Sequence, residues 1–282
     1  MRLLRYGEAG KEKPGLLDAG GTLRDLSGHV ADIDGGTITP DGLKKLAAID
    51  PASLPAVAGT PRLGCPVGNI GKIICVGLNY SDHAAETGMQ VPAEPIIFMK
   101  ATTAINGPND TVIIPKNSKK TDWEVELGIV IGKKAQYVEE KDALDYVAGY
   151  VLVNDISERE FQIERHGQWV KGKSADTFAP IGPWLVTKDE IADPQKLKMW
   201  LDVNGKRCQD GSTTTMVYGV KHLVSYISQF MTLMPGDVIP TGTPPGVGAG
   251  MKPPMFLKPG DVMKLGIEGL GEQHQQVVGY KG

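Results

Sequence analysis

Two glutamates at i,i+2 spacing, Glu124 and Glu126, together with Asp155 downstream, are the residues of this chain whose types and spacing could do metal chemistry. Val125, Leu127, Ile129 and Ile131 alternate with them at period two. That pattern predicts a strand with one apolar face and places both carboxylates on the other. At strand rise their backbones stand about 7 Å apart, so two acceptor-only side chains can converge on one point. No cationic residue lies between them in the chain. Like charges held that close raise each other's pKa unless a cation intervenes, and a hard divalent ion is the usual one. Asp155 closes the apolar run Val147 to Val153 and precedes Ser157-Glu158-Arg159-Glu160, a capping-box pattern that predicts a helix start, so it belongs at a strand mouth. Three carboxylates would give Mg²⁺ or Mn²⁺ three oxygens and leave three octahedral positions for a chelating substrate. The alternative is an ordinary solvated strand face, because Glu-Val-Glu alone is unremarkable on a surface.

A candidate general base comes earlier. Asn79, Ser81 and Asp82 can each cap a short helix that Gly88 ends, which puts His83 and Glu86 on one face at i,i+3. A carboxylate there can hold one imidazole nitrogen and leave the other to accept a proton. The alternative is a solvated surface pair. Of the other histidines, His29 and His274 lie in featureless or polar stretches, His166 at a predicted helix end, and His222 at the start of an amphipathic helix carrying Leu223, Val224, Ile227, Phe230 and Met231. Gly167 to Ser174 matches the phosphate-loop pattern Gly-x4-Gly-Lys-Ser, but a polar helix precedes it and Ala179-Pro180-Ile181-Gly182-Pro183 follows, so the strand and helix that the motif needs are missing. Lys173 in that loop can instead return to Asp155 and neutralise a substrate carboxylate or enolate. Lys100, closing the strand-like run from Ile96, reads as functional or merely exposed. Thr241-Gly242-Thr243-Pro244-Pro245-Gly246-Val247-Gly248 offers backbone N–H groups and hydroxyls that can hold a carboxylate.

The elements that must position these groups are strands and turns. The 282 residues are 41% hydrophobic and 22% charged, with 36 glycines and 20 prolines, enough for one large domain and a small one. Formal net charge is -3 and no basic block interleaves with aromatics, which argues against nucleic acid. Cys65, Cys75 and Cys208 form no Cys-x-x-Cys pair and no even disulfide set, and no apolar run reaches membrane-span length, so a cytoplasmic protein is expected. Short strands and turns over residues 1–65, with a helix from Thr39-Pro40-Asp41-Gly42 to about Ala48, suggest a small N-terminal domain. The Pro- and Gly-bearing stretch to Gly71 forms the boundary, and a second domain runs over 71–282. Lys72 to Leu78 reads as a strand, Glu139 to Tyr146 as a helix, and two Pro-Gly-Asp turns at 235 and 259 lead into strands.

Together, Asn79-Tyr80 with His83-x-x-Glu86, Glu124-x-Glu126, Asn154-Asp155-x-Ser157-x-Arg159, Lys173-Ser174-x-Asp176-Thr177 and Thr241-Gly242-Thr243-Pro244-x-Gly246-Val247-Gly248 resemble the fumarylacetoacetate hydrolase family from about Gly71 to the end. The resemblance implies an α+β fold with a mixed β-roll core, commonly dimeric, and Mg²⁺ or Mn²⁺ on Glu124, Glu126 and Asp155. It implies that His83 and Glu86 activate water, that Lys173 and Gln162 contact the reacting end of a small anionic oxo acid, and that Arg159 and Thr243 help to bind it. The reaction implied is hydrolysis of a carbon-carbon bond in a 2,4-diketo acid with release of pyruvate. Overall similarity is greatest to bacterial members acting on 2,4-diketo-3-deoxy sugar acids or labelled ureidoglycolate lyase. Decarboxylation and isomerisation draw on the same enolate stabilisation. A non-catalytic oxo-acid binder would need the ligands but neither base nor Lys173.

Overall fold

Val125–Ile131 and Val147–Asn154, the two runs that flank the acidic residues, pair antiparallel with Glu126 opposite Val153 and Val125 opposite Asn154. Every residue of both strands is buried, so they are central strands covered on both faces. The computed structural model describes residues 1–82 and 92–281. Among the described residues nine strands form one mixed sheet in the order Leu23–Asp25, Lys13–Leu17, Arg2–Tyr6, Leu185–Thr187, Val147–Asn154, Val125–Ile131, Val238–Pro240, Ile73–Gly77 and Ile96–Lys100. Val238–Pro240 runs parallel to Ile73–Gly77, and the other neighbours are antiparallel. A five-stranded sheet, Lys206–Ser212, Lys198–Val203, Val262–Ile267, Gly271–Gly279 and Val112–Ile114, shares the same apolar core.

Helices are few. Thr39 caps Pro40–Ala47 by accepting from Gly42 N at 3.2 Å, and Val220–Ser228 buries Val220, Leu223, Val224 and Ile227, as its apolar spacing predicts. Glu140–Tyr146 is 3₁₀ and not α. The first strands extend the main sheet directly, with Leu3 opposite Leu185, and Arg62 ties Glu12 at 2.9 Å to Asp110 at 2.5 Å. No helix among the described residues is long and apolar enough to cross a membrane.

Candidate metal centre and substrate cleft

Backbone pairing sets the acidic residues side by side. Asp155 N donates to Glu124 O at 2.9 Å, and Glu124 N donates to Asn154 Oδ1 at 3.2 Å, so the end of one central strand is stapled to the start of the next. The second sheet supports this junction from beneath: Gln209 Oε1 accepts from Val125 N at 2.9 Å, and Gln275 Oε1 accepts from Asn154 Nδ2 at 3.1 Å. Glu126 projects from the same face two residues on, where Gly242 N donates to its Oε2 at 2.8 Å. Gly242 has φ +95, and a Cβ there would stand 2.9 Å from Asn79 Cβ, so only glycine brings that N–H to the carboxylate without strain. One oxygen from each of Glu124, Glu126 and Asp155 lies within 4.8 Å of the others. With Glu124 at 6%, Glu126 at 1% and Asp155 at 0% exposure, this is no solvated strand face.

Folding surrounds these acids with cations: the expected return of Lys173 to Asp155 is joined by Lys100 on Asp155 and Arg159 on Glu124. Lys173 Nζ lies 2.7 Å from Glu124 Oε2 and 2.8 Å from Asp155 Oδ2. Lys100 is fully buried, donates to Asp155 Oδ1, and reaches Ile156 O at 3.0 Å. Arg159 Nη1 meets Glu124 Oε1 at 2.8 Å while its Nε meets Asp122 Oδ2 at the same distance. Burial alone would lower the Lys173 pKa, but Asp155 and Glu124 outweigh it and hold the ammonium above the ordinary lysine value. Glu126 makes no ion pair among the described residues. Burial, then the charges of Asp155 and Glu124, push its carboxyl well above the usual range. A site of three hard oxygen donors, one of them still without a cationic partner, fits a divalent ion such as Mg²⁺ or Mn²⁺, which would compete with Lys173 for Glu124 and Asp155.

Arg159 is fixed by Asp122. The Asp122 carboxylate also accepts from Gly248 N at 2.7 Å and Ala249 N at 2.9 Å, so one buried acid aligns the guanidinium with the Gly-rich C-terminal loop. Arg159 Nη1 donates to Gln162 Oε1 at 3.0 Å, whereas Nη2 is buried with no hydrogen-bond partner among the described residues. Thr243 Oγ1 donates to Val125 O and accepts from Gln209 Nε2, both at 2.8 Å, so its hydroxyl is engaged by the protein itself. These groups stand at one end of a cavity of about 200 Å³ lined by Glu124, Glu126, Arg159, Gln162, Lys173, Gly242 and Thr243, and otherwise mainly by apolar side chains.

Of the residues singled out in the sequence, Glu124, Glu126, Asp155, Arg159, Gln162, Lys173 and Thr243 come together here. His83 and Glu86 lie outside the described residues. The predicted capping box is not formed. Ser157–Glu158 pairs as a short strand with Thr121–Asp122, the Ser157 hydroxyl turns back to Asp155 O at 2.9 Å, and Glu160–Glu164 is a π-helical turn without a side-chain cap. Glu158 is captured instead by the Ser118 hydroxyl, Lys120 N and Thr121 Oγ1, while its other oxygen accepts from Glu160 N at 3.1 Å. Gly167 to Ser174 forms no phosphate loop, only the four-residue helix Val170–Lys173, and Gly172 lets it pack against Glu158. Asp122 went unnoticed in the sequence, although it shares a period-two face with Glu124 and Glu126.

Comparison with known proteins places this geometry. The fumarylacetoacetate (FAA) hydrolase C-terminal family matches residues 72–278. A Burkholderia cenocepacia protein provisionally named a hydrolase is 64% identical over 277 residues, 98% of each chain. Among solved structures, fumarylacetoacetate hydrolase from Exiguobacterium antarcticum superposes with a TM-score of 0.89 at 36% identity, covering 99% of this chain and 100% of that one. Maleylpyruvate hydrolase from Sphingobium sp. SYK-6, in complex with manganese(II) ion and pyruvate, superposes with a TM-score of 0.83 at 29% identity over 100% of both chains.

Proposed function

The chain belongs to the fumarylacetoacetate hydrolase family, and we propose that it is a divalent-metal-dependent hydrolase that cleaves a carbon-carbon bond of a 2,4-dioxo acid and releases pyruvate. The observation that carries this reading is the convergence of three buried carboxylates beside Lys173 and an Arg159 Nη2 that has no partner among the described residues, at a cleft that Glu124, Glu126, Arg159 and Lys173 line. The bound manganese and pyruvate of the Sphingobium hydrolase add support. A Mg²⁺ or Mn²⁺ ion held by Glu124, Glu126 and Asp155 would polarise the 2-oxo oxygen and offset negative charge that develops on it.

The chain's own groups do the rest. Arg159 Nη2, a donor already desolvated and aligned by Asp122, receives the substrate carboxylate, with Gln162 and Thr243 beside it. His83, oriented by Glu86, takes a proton from water, whose oxygen bonds to the C4 carbonyl carbon. The C3–C4 bond then breaks, its electron pair passes to C3 as the enolate of pyruvate, and protonation at C3 yields pyruvate and the acid of the acyl tail. Lys173 stands next to Glu124 and Asp155, where a permanent positive charge lowers the cost of that enolate. We assign the protein to the cytoplasm and expect a homodimer.

The test is to offer purified protein and Mg²⁺ a panel of 2,4-dioxo acids, beginning with acetylpyruvate, and to follow pyruvate with a coupled reductase. Pyruvate release that disappears on chelation and returns with Mg²⁺ or Mn²⁺ is expected. Tight oxo-acid binding without product from any member would instead make the chain a binder, and double-bond migration or decarboxylation would make it an isomerase or decarboxylase on the same site.

A further inference from the structure

Away from its charged end the cleft is a wall of hydrocarbon: Val76 and Val247 are buried, Leu78, Phe98 and Trp169 are half-buried, and Ile163 is 59% exposed. We propose that this wall seats the acyl tail of the substrate and selects an alkyl or aromatic tail over one carrying a carboxylate or a chain of hydroxyls. The inference rests on the 2,4-dioxo-acid reading above and narrows it to the class of tail.

The apolar wall begins where the reaction would take place. Lys173 Nζ lies 5.0 Å from the centroid of the Phe98 ring, and Phe98 meets Trp169 edge to face at 5.2 Å, so the aromatic pair adjoins the ion-paired lysine. Trp169 is seated by an absence: a Cβ on Gly77 would come within 2.4 Å of its Cζ3, so glycine at 77 is what lets the indole lie against the strand. Leu78 follows with φ 53, a left-handed conformation that a branched residue rarely adopts, yet its side chain lines the cavity. Partly exposed leucine, phenylalanine, tryptophan and isoleucine on one concave surface leave apolar area in water that an apolar ligand would cover.

Charge points the same way. The cations that line the cleft among the described residues are Arg159 and Lys173: Lys173 is paired with Glu124 and Asp155, and Arg159, paired with Asp122 and Glu124, keeps only Nη2, which the proposed reading gives to the head carboxylate. Residues 83–91 contain no lysine or arginine. A tail carboxylate would therefore lose water without gaining a cation, and a polyol would lose hydrogen bonds along the hydrocarbon wall.

Titration of the Mg²⁺-loaded full chain with 2-oxo-4-phenylbutanoate, 2-oxoglutarate and a 2-oxo-3-deoxy sugar acid reads the tail preference without turnover. The phenyl compound is expected to bind 10- to 200-fold more tightly than the other two, the span that hydrocarbon contacts commonly give. Trp169→Ala and Leu78→Gly should each bring the ratio toward one. Leu78→Gly guards against misfolding as an explanation, because glycine adopts φ 53 freely. Equal affinities, or a preference for the dicarboxylate or the sugar acid, would overturn the inference, as would a ratio that neither folded variant changes. The proposed reaction is judged separately by pyruvate release from acetylpyruvate, whose tail is a single methyl group, so the two readings can fail independently.

Discussion

Lys173 Nζ stands 2.8 Å from Asp155 Oδ2, with 2% of one side chain and none of the other exposed. Because the same ammonium also holds Glu124, its removal would leave two buried carboxylates short of a cation. Lys173→Met should destabilise the metal-free protein by about 3–5 kcal/mol, the usual cost of breaking a buried pair, and Mg²⁺ should recover much of that loss by supplying charge to the same oxygens. Urea midpoints with EDTA and with Mg²⁺ test the competition. An equal loss in both conditions would mean that ammonium and ion do not share these carboxylates.

Glu126→Ala should abolish tight Mg²⁺ binding, since two carboxylates already shared with Lys173, Lys100 and Arg159 make a poor site alone. Titration calorimetry on wild type and variant reads this directly. Unaltered affinity would place the ion elsewhere.

For His83→Ala, whose role rests on the sequence, turnover should fall about 10²- to 10⁴-fold while Mg²⁺ and oxalate binding persist. Single-turnover rates beside an oxalate titration distinguish a base from a ligand: joint loss of ion and oxalate would make His83 a ligand, and wild-type turnover would remove it from the mechanism.

Gly172 lies where a Cβ would fall 2.4 Å from Glu158 O and 2.6 Å from Gln162 Cβ. Gly172→Ala must push the Val170–Lys173 helix outward, at about 1–3 kcal/mol for overpacking. Turnover should fall with stability because Lys173 moves with that helix. A variant with wild-type midpoint and rate would show that the contact relaxes at no cost.

Glu12 supplies a pH dependence. Burial favours its neutral form, but hydrogen bonds from Arg62 and the backbone, with the charge of Arg5, outweigh burial and lower its pKa below the ordinary 4.5. With the folded pKa below the unfolded one, the unfolded chain takes up the proton first as pH falls. The contribution is therefore complete above about pH 4.5 and is lost as pH drops through the folded value. Relative to wild type, Glu12→Gln should lose stability at pH 7, with the difference shrinking below pH 4.5. Parallel Tm curves for the two proteins from pH 7 to pH 3 would refute the linkage.

Much of this architecture is local and was legible. Period-two alternation marks Val125–Ile131, apolar spacing marks Val220–Ser228, and Thr39 before Pro40 marks a helix start, because each pattern records forces acting within a few residues. Asp155 at the mouth of a central strand was readable for the same reason, and the combined motifs were enough to point to the family. Residues far apart in the chain escaped that logic. Lys100, readable as functional or merely exposed, is buried on Asp155 across 55 residues, and Lys173, expected to return to Asp155, also holds Glu124 across 49. Ser157-Glu158-Arg159-Glu160 has the letters of a capping box, but Ser157 is drawn into a strand pair with Asp122, its hydroxyl turns back to Asp155 O, and Glu160 holds Arg165, so the box does not form. The sequence by itself determined which carboxylates face one point and which strands carry them. Tertiary structure decided how their charge is balanced and what lines the cleft beside them, since a buried charge needs partners wherever the chain can bring them, and no local pattern records the Phe98–Trp169 contact or the alignment of Arg159 by Asp122.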